Sequence, residues 1–341
     1  MKNLRNTIKV GKNLIGETFP PYVIAEAGVA HFGNFQTALD LLNMSVKAGA
    51  NAFKLQVFDV DETFSSGQDE WKNRLRDRVL TLDQIKKLRS RCTNFGLDFI
   101  LTFHDSSLLS WVDELHIDAI KVGSGEKGNA PFLEKIGSLG LPVILSTGMC
   151  DLDDVKKSVD ALVLGGCKEI ALLHCVTSYP APFESLNLKA ITTLKKNFSC
   201  PIGYSDHTDG DLACIVATSL GANLIEKHIT IQKGVANAQD WKVSCDPSNF
   251  DDFVKKIKDT HITLGDGIKK MSASEESATK WALKRIVASE DLNIGHQLQK
   301  KDLAFKRAPN GLSPDDYDRV IGKVTKNFIH ADQVITYNDL E

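Results

Sequence analysis

PIGYSDHTDGDLACIVATSLGANLIEKH, residues 201–228, holds two short apolar segments on either side of an amphipathic one. The outer segments, Pro201–Tyr204 and Asn223–His228, are bounded by turn residues or small residues, which is typical of buried parallel strands. The middle segment, Asp211–Leu220, has the apolar spacing of a helix. Parallel strands joined by a crossover point the same way, so we expect the histidines that follow the two strands to lie close together.

The same alternation recurs along most of the chain. Strand-like segments are Tyr22–Val29, Ala52–Phe58, Asp98–Phe103, Asp118–Val122, Leu141–Ser146, Glu169–His174, Pro201–Tyr204 and Asn223–His228. Helical segments are Gln36–Ala48, Asp83–Asn94, Val155–Leu164, Leu188–Asn197, Asp211–Leu220 and Asn249–Leu264. Eight such units in 341 residues predict an α/β fold, a TIM (β/α)8 barrel over roughly residues 20–265. A doubly wound sheet is the alternative, but no GxGxxG motif follows the first strand.

The character of the sequence changes after the barrel. Residues 272–279 are polar and rich in Ser and Glu, which is typical of a linker. Short β-type runs begin at Arg285, Leu303 and Val334, with turn residues between them. We therefore predict a barrel domain over residues 1–270, a linker over 271–283 and a small β-rich domain over 284–341. A domain of that size has a marginal core, so we expect it to dock onto a larger body.

The composition argues against several classes of function. A net charge of −3 and a pI of about 6.3 give no sign of a nucleic-acid partner or of a polybasic membrane surface. No run approaches ~18 consecutive apolar residues, and the N-terminus lacks the apolar core of a signal peptide, so we predict neither a transmembrane helix nor secretion. The seven cysteines show no CxxC spacing, which predicts reduced thiols in a cytoplasmic protein.

Polar side chains gather where the predicted strands end, and in this type of barrel the active site lies at the C-terminal ends of the strands. These residues are Glu26, His31, Lys54, Gln56, Thr102, Lys121, Ser124, Glu126, Ser146, His174, Thr177, Tyr179, Ser205, Asp206, His207, Glu226, Lys227 and His228. Buried polar groups are costly unless they are hydrogen-bonded or bind a ligand. Their density therefore predicts an open, functional mouth.

Two lysines indicate an anionic substrate. Lys54 and Lys121 end different strands between apolar neighbours, and lysine is rarely buried without a partner. Ser124, Ser146 and Ser205 lie close to glycines, which let backbone N–H groups approach an oxyanion. Together these residues predict a cradle for phosphate and carboxylate groups. The sequence contains no Walker A motif, so a P-loop nucleotide site is not expected.

His207 and His228 predict a metal site. Two imidazoles at the ends of consecutive strands suit Zn, Mn, Fe or Ni, with water or substrate oxygen completing the coordination. Such an ion can act as a Lewis acid on an aldehyde oxygen. Glu26 and Glu126 are candidate acid–base groups or further ligands, and the sequence does not decide between these roles.

Seven segments occur together in a characteristic order: Ile24–Gly33, Lys54–Gln56, Lys121–Glu126, Leu145–Met149, Leu173–Pro180, Gly203–Thr208 and Glu226–Thr230. They resemble the motifs of the sialic acid synthase family, which includes N-acetylneuraminate and legionaminate synthases. Near the C-terminus, Phe305–Ser313 resembles the family's antifreeze-like (SAF) domain. The resemblance spans nearly the whole chain.

The resemblance implies a transferase that condenses phosphoenolpyruvate with an N-acylated hexosamine similar to N-acetylmannosamine, giving a nine-carbon 2-keto acid and phosphate. The residues that it implies for phosphoenolpyruvate are Lys54, Thr102, Lys121, Ser124, Ser146, Thr177 and Ser205. It places a divalent metal, Mn²⁺ or else Mg²⁺ or Co²⁺, on His207 and His228, with no organic cofactor. The residues that it implies for the sugar are Glu26, Tyr179, Asp240 and Arg307, the last reaching across a homodimer with swapped SAF domains.

The chain departs from the family pattern at Ala30, His104 and Ala308. The resemblance therefore leaves the hexosamine open between N-acetylmannosamine, its 6-phosphate and a di-N-acetyl deoxy sugar. Two rival functions also stay open. A Schiff-base aldolase on the same barrel would use Lys121 or Lys227 as a nucleophile of lowered pKa. A non-catalytic sugar-binding homologue would tolerate loss of the histidines, yet both are present.

Overall fold

The computed structural model describes residues 4–235 and 240–341. They form two compact units, the first ending at Gly265 and the second beginning at Asp266. Within the described residues, no helix is both long and apolar enough to cross a lipid bilayer.

The first unit is a closed barrel of eight parallel strands, as the sequence predicted. After a short antiparallel hairpin, β1 (Ile8–Val10) and β2 (Asn13–Ile15), the barrel strands follow in chain order. They are β3 (Tyr22–Gly28), β4 (Ala52–Val57), β5 (Asp98–Phe103), β6 (Ala119–Val122), β7 (Val143–Ser146), β8 (Ile170–Cys175), β9 (Ile202–Asp206) and β10 (Leu224–His228). Each strand pairs with the next, and β10 pairs with β3 to close the barrel.

Helices connect the barrel strands, and most of them cover the outside of the barrel. They are α1 (Phe35–Ala48), α2 (Val60–Thr63), α3 (Asp69–Arg76), α4 (Leu82–Phe95), α5 (Trp111–Leu115), α6 (Ala130–Gly137), α7 (Leu152–Leu164), α8 (Ala190–Asn197), α9 (Leu212–Ser219) and α10 (Phe250–Leu264). Local chemistry sets their ends. Helix α4 begins after Thr81, whose hydroxyl accepts from the backbone of Gln84, and ends at Gly96, whose positive φ of 68° suits glycine.

The barrel interior changes from apolar to polar along each strand. At its N-terminal end, Tyr22, Ile24, Ile100 and Leu224 pack with other inward-facing residues into one buried cluster. The β1–β2 hairpin contributes Ile8, Val10 and Ile15 to the same cluster, so it closes that end of the barrel. The sequence analysis missed this hairpin because each of its strands has only three residues. The sealed end leaves the opposite mouth as the place where polar groups meet solvent.

The second unit has its own small core. Strands β11 (Lys284–Ala288) and β12 (Leu303–Arg307) pair in antiparallel fashion. The core of this unit includes Ile286, Val320 and Ile335. Two further helices are α11 (Glu276–Ala282), which lies within the residues predicted as a linker, and α12 (Tyr317–Val320). The run at Val334 differs from the prediction, because it makes an isolated bridge to Val287 instead of a strand.

Candidate active site

The last inward-facing side chains of the barrel strands line one cavity of about 270 Å³. Because side chains alternate along a strand, Glu26, Lys54, Thr102, Lys121 and Ser146 all turn inward near the strand ends. The predicted site residues that line this cavity are Glu26, Lys54, Thr102, Lys121, Ser124, Ser146, Thr177, Tyr179, Ser205, His207, His228 and Asp240. The structure thus brings together residues from every strand of the barrel.

Two lysines and two glutamates form a buried charge network in the floor of this cavity. Lys54 Nζ lies 2.9 Å from Glu26 Oε2 and 3.7 Å from Glu226 Oε2. Lys121 Nζ lies 3.9 Å from Glu226 Oε1 and donates a hydrogen bond of 2.6 Å to Ser146 Oγ. All four charged side chains are buried, so the two positive and two negative charges compensate one another away from water.

The pKa values reflect this network. Burial works against charge on Lys54, but the carboxylates of Glu226 and Glu26 raise its pKa overall. Burial dominates at Lys121 and lowers the pKa of its amine. Burial also disfavours charge on Glu226, yet the ammonium groups of Lys121 and Lys54 hold the pKa of its carboxyl below the usual range. Glu226 is therefore a carboxylate at neutral pH that links the two lysines.

Hydroxyl groups and a close backbone approach complete the predicted anion cradle. Ser124 Oγ accepts a hydrogen bond of 2.9 Å from the backbone N–H of Gly148. A Cβ on Gly148 would lie only 2.4 Å from Thr177 Oγ1, so a larger residue there would displace these hydroxyls. Ser205 Oγ donates to Glu226 Oε1 over 2.9 Å. These donors stand beside the lysines, where they can turn toward a bound anion.

His207 and His228 lie side by side, with ring centroids 5.3 Å apart. His207 Nδ1 donates to the carbonyl oxygen of Val176 over 2.7 Å, so Nε2 carries the lone pair and accepts from the hydroxyl of Tyr179 over 3.0 Å. Burial, together with the neighbouring His228, lowers the pKa of His207 to about 3. His207 is therefore neutral at physiological pH, which is the form that binds metals.

The donor set fits a divalent cation that is only partly held by protein. Asp240 Oδ2 lies 4.0 Å from His228 Nδ1, at the edge of the same cavity. Within residues 4–235 and 240–341, no cluster of three or more His, Cys, Asp or Glu side chains has metal-binding geometry. A cation on the two imidazoles would therefore take its remaining ligands from water or substrate oxygen.

Two predicted residues lie elsewhere. Ser124–Glu126 forms a 3-10 turn, which directs Glu126 into an adjoining groove where its carboxylate accepts from Asn129 Nδ2 over 2.7 Å. Burial there raises the pKa of Glu126. Arg307 belongs to the second unit, and its guanidinium carbon lies 5.7 Å from the ring centroid of Trp281. The structure thus does not place Glu126 among the groups around Lys54 and Lys121.

The rival nucleophile Lys227 also lies outside the cavity. Its side chain is buried between the barrel and the helices, and its Nζ donates to Asp206 Oδ2 over 2.6 Å and to the carbonyl oxygen of Thr208 over 2.8 Å. The alternation along β10 explains this position, because Glu226 and His228 take the inward places on either side of Lys227. Lys227 therefore supports the strand ends and does not face a substrate.

Gln56 and His104 join the site without having been given a role from the sequence. Gln56 Nε2 donates to Glu26 Oε1 over 2.8 Å, and His104 Nε2 lies 3.3 Å from Gln56 Oε1. Burial and the charges of Lys54 and Lys121 lower the pKa of His104 to about 4. The sequence analysis already placed Gln56 among the polar residues at the strand ends, and inward alternation along β5 is the signal that could have identified His104. The neutral imidazole thus orients Gln56, which in turn orients Glu26.

The barrel and its site define a TIM-barrel protein whose mouth combines a buried network of two lysines and two glutamates with two adjacent imidazoles. Residues 41–269 match the NeuB family, and residues 285–341 match the SAF domain. The chain therefore belongs to the NeuB family and carries a SAF domain at its C-terminus, as the sequence motifs indicated.

Relatives of full length show the same relationship. The N,N'-diacetyllegionaminic acid synthase of Campylobacter jejuni is 35% identical over 322 residues, covering 90% of this chain and 96% of that protein. The N-acetylneuraminate-9-phosphate synthase of Drosophila melanogaster is 30% identical, covering 94% and 95%. The crystal structure of the N-acetylneuraminic acid synthetase of Leptospira borgpetersenii, in complex with citrate, superposes with a TM-score of 0.75 at 31% identity, covering 82% and 96%.

Proposed function

We propose that this protein condenses phosphoenolpyruvate with an N-acylated hexosamine, releasing phosphate and forming a nine-carbon 2-keto acid. The observation that carries the proposal is the single cavity that holds Lys54 and Lys121 next to His207 and His228. One part of this cavity suits an anionic enol phosphate, and the other has two imidazoles that could hold a Lewis-acidic ion beside an aldehyde. The names of the NeuB relatives, which are legionaminic and neuraminic acid synthases, support the same reaction class.

The anion cradle binds phosphoenolpyruvate. Lys54 and Lys121 neutralise the carboxylate and phosphate groups, and the hydroxyls of Ser124, Ser146 and Ser205 donate to their oxygens, with Thr102 and Thr177 beside them. The lysines are already held by the carboxylates and by Ser146, so little reorganisation is needed when the anion enters. This fixed arrangement positions the enol C3 toward the histidines.

The two imidazoles mark the position of the sugar aldehyde. Held by His207 and His228, a divalent ion, Mn²⁺ or else Mg²⁺ or Co²⁺, would supply Lewis-acid polarisation of the aldehyde oxygen. Tyr179 and Asp240 line the cavity beside these histidines, and in this proposal they bind the sugar hydroxyls. Gln56 and Lys54 orient Glu26, which in this proposal exchanges a proton with the reacting groups.

The remaining steps follow from the chemistry of the enol. Its C3 forms a bond to the aldehyde carbon, water adds at C2, and the tetrahedral intermediate loses phosphate. Burial of the lysines limits competing water and strengthens their hold on the phosphate as charge develops. In this proposal Arg307 of a second copy of the chain binds the acyl group of the sugar in a domain-swapped homodimer. A cytoplasmic location likewise remains a prediction.

One observation favours a Schiff-base aldolase as the second candidate. The lowered pKa of Lys121 is a property of nucleophilic lysines. Its Nζ, however, already donates to Ser146 Oγ and to the carbonyl oxygen of Val122, which positions it as a donor. Borohydride reduction in the presence of pyruvate, followed by mass spectrometry, distinguishes the two, because only the aldolase gives a covalent adduct on Lys121.

A direct assay tests the proposed reaction. The protein is incubated with phosphoenolpyruvate, Mn²⁺ and a panel of N-acyl hexosamines, and phosphate release and product mass are measured. We expect phosphate release that requires both substrates and a product that gains three carbons from phosphoenolpyruvate. Lys121→Met should abolish phosphate release, whereas Lys86→Met should leave it unchanged, because Lys86 pairs with Glu114 on the surface. A protein that binds sugars without releasing phosphate would be the non-catalytic homologue instead.

A further inference from the structure

A buried ion pair links the ends of strands β9 and β10 behind the candidate active site. Lys227 Nζ lies 2.6 Å from Asp206 Oδ2, and both residues are buried. The paired register of the two strands also ends at these two residues. His207 and His228 come next in the chain and turn to the cavity side of the barrel. The ion pair therefore lies where backbone pairing no longer sets the spacing of the two histidines.

Asp206 holds the backbone on both sides of His207. Its Oδ1 accepts from the hydroxyl of Tyr204 and from the backbone N–H of Thr208, each over 3.0 Å. Its Oδ2 accepts from Thr208 Oγ1 over 3.1 Å as well as from Lys227 Nζ. Lys227 Nζ also donates to the carbonyl oxygen of Thr208 over 2.8 Å. Because Asp206 and Thr208 enclose His207 in the chain, these bonds fix the turn from which the His207 ring projects.

Other backbone contacts hold each histidine separately. The carbonyl oxygen of His207 accepts from the backbone N–H of Ala181 over 2.7 Å, and that of His228 accepts from the backbone N–H of Cys245 over 2.8 Å. Neither of these contacts ties one histidine to the other. Lys227 does so, because it precedes His228 directly and its ammonium group bonds to the residues on both sides of His207.

Stability alone is a weak explanation for such a pair. A buried ion pair is often no more stabilising than apolar side chains of similar volume, because both charges lose their hydration. The pair does, however, require a fixed separation and direction of its hydrogen bonds. We infer that Lys227 and Asp206 are positioning residues that set the separation of His207 and His228 before a cation binds. This inference rests on the proposed function, in which the two imidazoles hold the divalent ion.

The test measures the affinity of the metal-free protein for Mn²⁺ from the electron paramagnetic resonance signal of the free ion. We expect Lys227→Met to weaken Mn²⁺ binding by about 10- to 100-fold, the usual effect of losing a group that orients metal ligands. The direction of the change is informative, because loss of a positive charge near a bound cation would by itself strengthen binding. Unchanged or tighter binding in Lys227→Met would overturn the inference.

Two further variants separate positioning from a loss of stability. The double variant Asp206→Asn with Lys227→Met keeps the net charge and leaves no buried charge unpaired, so it should fold and still bind Mn²⁺ more weakly. Leu88→Ala is the control, because Leu88 is buried in α4, between β4 and β5 in the chain. It should lower stability and leave the affinity for Mn²⁺ unchanged. Natural affinity in the double variant would overturn the inference.

Crystal structures of the metal-free proteins distinguish this inference from the proposed reaction. The natural protein should show the ring centroids of His207 and His228 5.3 Å apart, and the double variant should show a different separation. Equal separations in the two proteins would contradict a positioning role. If the natural protein has this separation but binds no Mn²⁺, the metal in the proposed function is refuted, whereas the positioning of the two rings by the ion pair stands.

Discussion

Glu226→Gln tests whether the buried charges work as a unit. The change removes one negative charge and keeps the shape of the side chain. Lys54 and Lys121 lie 3.7 Å and 3.9 Å from the Glu226 carboxylate, and each pair contributes about 4 kcal/mol of attraction at an effective dielectric constant of about 20. Breaking a buried pair typically costs about 3–5 kcal/mol. Because Lys54 keeps its 2.9 Å contact with Glu26, we expect about 3 kcal/mol.

The loss of stability should be measurable as a lower thermal midpoint, and bound phosphoenolpyruvate should partly restore it. For a unit of this size, it lowers the thermal midpoint by about 6–12 °C. Phosphoenolpyruvate supplies the missing negative charge, so it should raise the midpoint more in Glu226→Gln than in the natural protein. Glu169→Gln is the control, because Glu169 pairs with Arg5 on the surface and should cost less than about 1 kcal/mol. Equal midpoints for Glu226→Gln and the natural protein, with equal shifts on adding phosphoenolpyruvate, would refute the reasoning.

Three further predictions concern the metal, the second unit and pH. Chelation should abolish phosphate release, and addition of Mn²⁺, Mg²⁺ or Co²⁺ should restore it. Full activity of a protein that elemental analysis shows to be free of metal would exclude a role for the ion. Arg307→Ala should raise the sugar KM by about 10- to 100-fold with an unchanged KM for phosphoenolpyruvate, and an unchanged sugar KM would mean that Arg307 does not reach the sugar. Burial disfavours the ionised form of Asp302, but the hydrogen bond from His296 lowers the pKa of the Asp302 carboxyl overall. The stabilising effect of this carboxylate is therefore present above the ordinary carboxyl pKa and is lost as the pH falls below that value. The thermal midpoint of the natural protein should therefore decrease when the pH is lowered below about 4, and the midpoint of Asp302→Asn should depend less on pH in that range.

The barrel could be predicted because its strands are buried on both faces. Each strand reads as a largely apolar run between turn residues, and the bounds predicted for β5, Asp98–Phe103, agree with the structure. Strands β1 and β2 and helices α2 and α5 have only three to five residues each, which is too few to show a period. Their positions depend on packing against the barrel, which a local pattern does not contain.

The sequence identified most residues of the candidate site individually, but it did not show which of them contact one another. Lys54 and Lys121 stood out because charged residues interrupt apolar strands. The role of Glu226 depends on the register between strands, which brings its carboxylate within reach of both lysines. Glu126 appeared equally suitable in the sequence, and only the 3-10 turn after β6 shows that it faces an adjoining groove.

The central claim is that an enol phosphate held at the lysines is joined to an aldehyde at the histidines and loses phosphate after water adds at C2. The fate of the bridging oxygen tests this claim most directly. Phosphoenolpyruvate labelled with ¹⁸O between C2 and phosphorus is turned over with the preferred N-acyl hexosamine, and both products are analysed by mass spectrometry. Addition of water at C2 followed by loss of phosphate breaks the C–O bond, so the account predicts that the label leaves with inorganic phosphate. Label retained in the 2-keto acid would mean that the P–O bond breaks, and this would contradict the account.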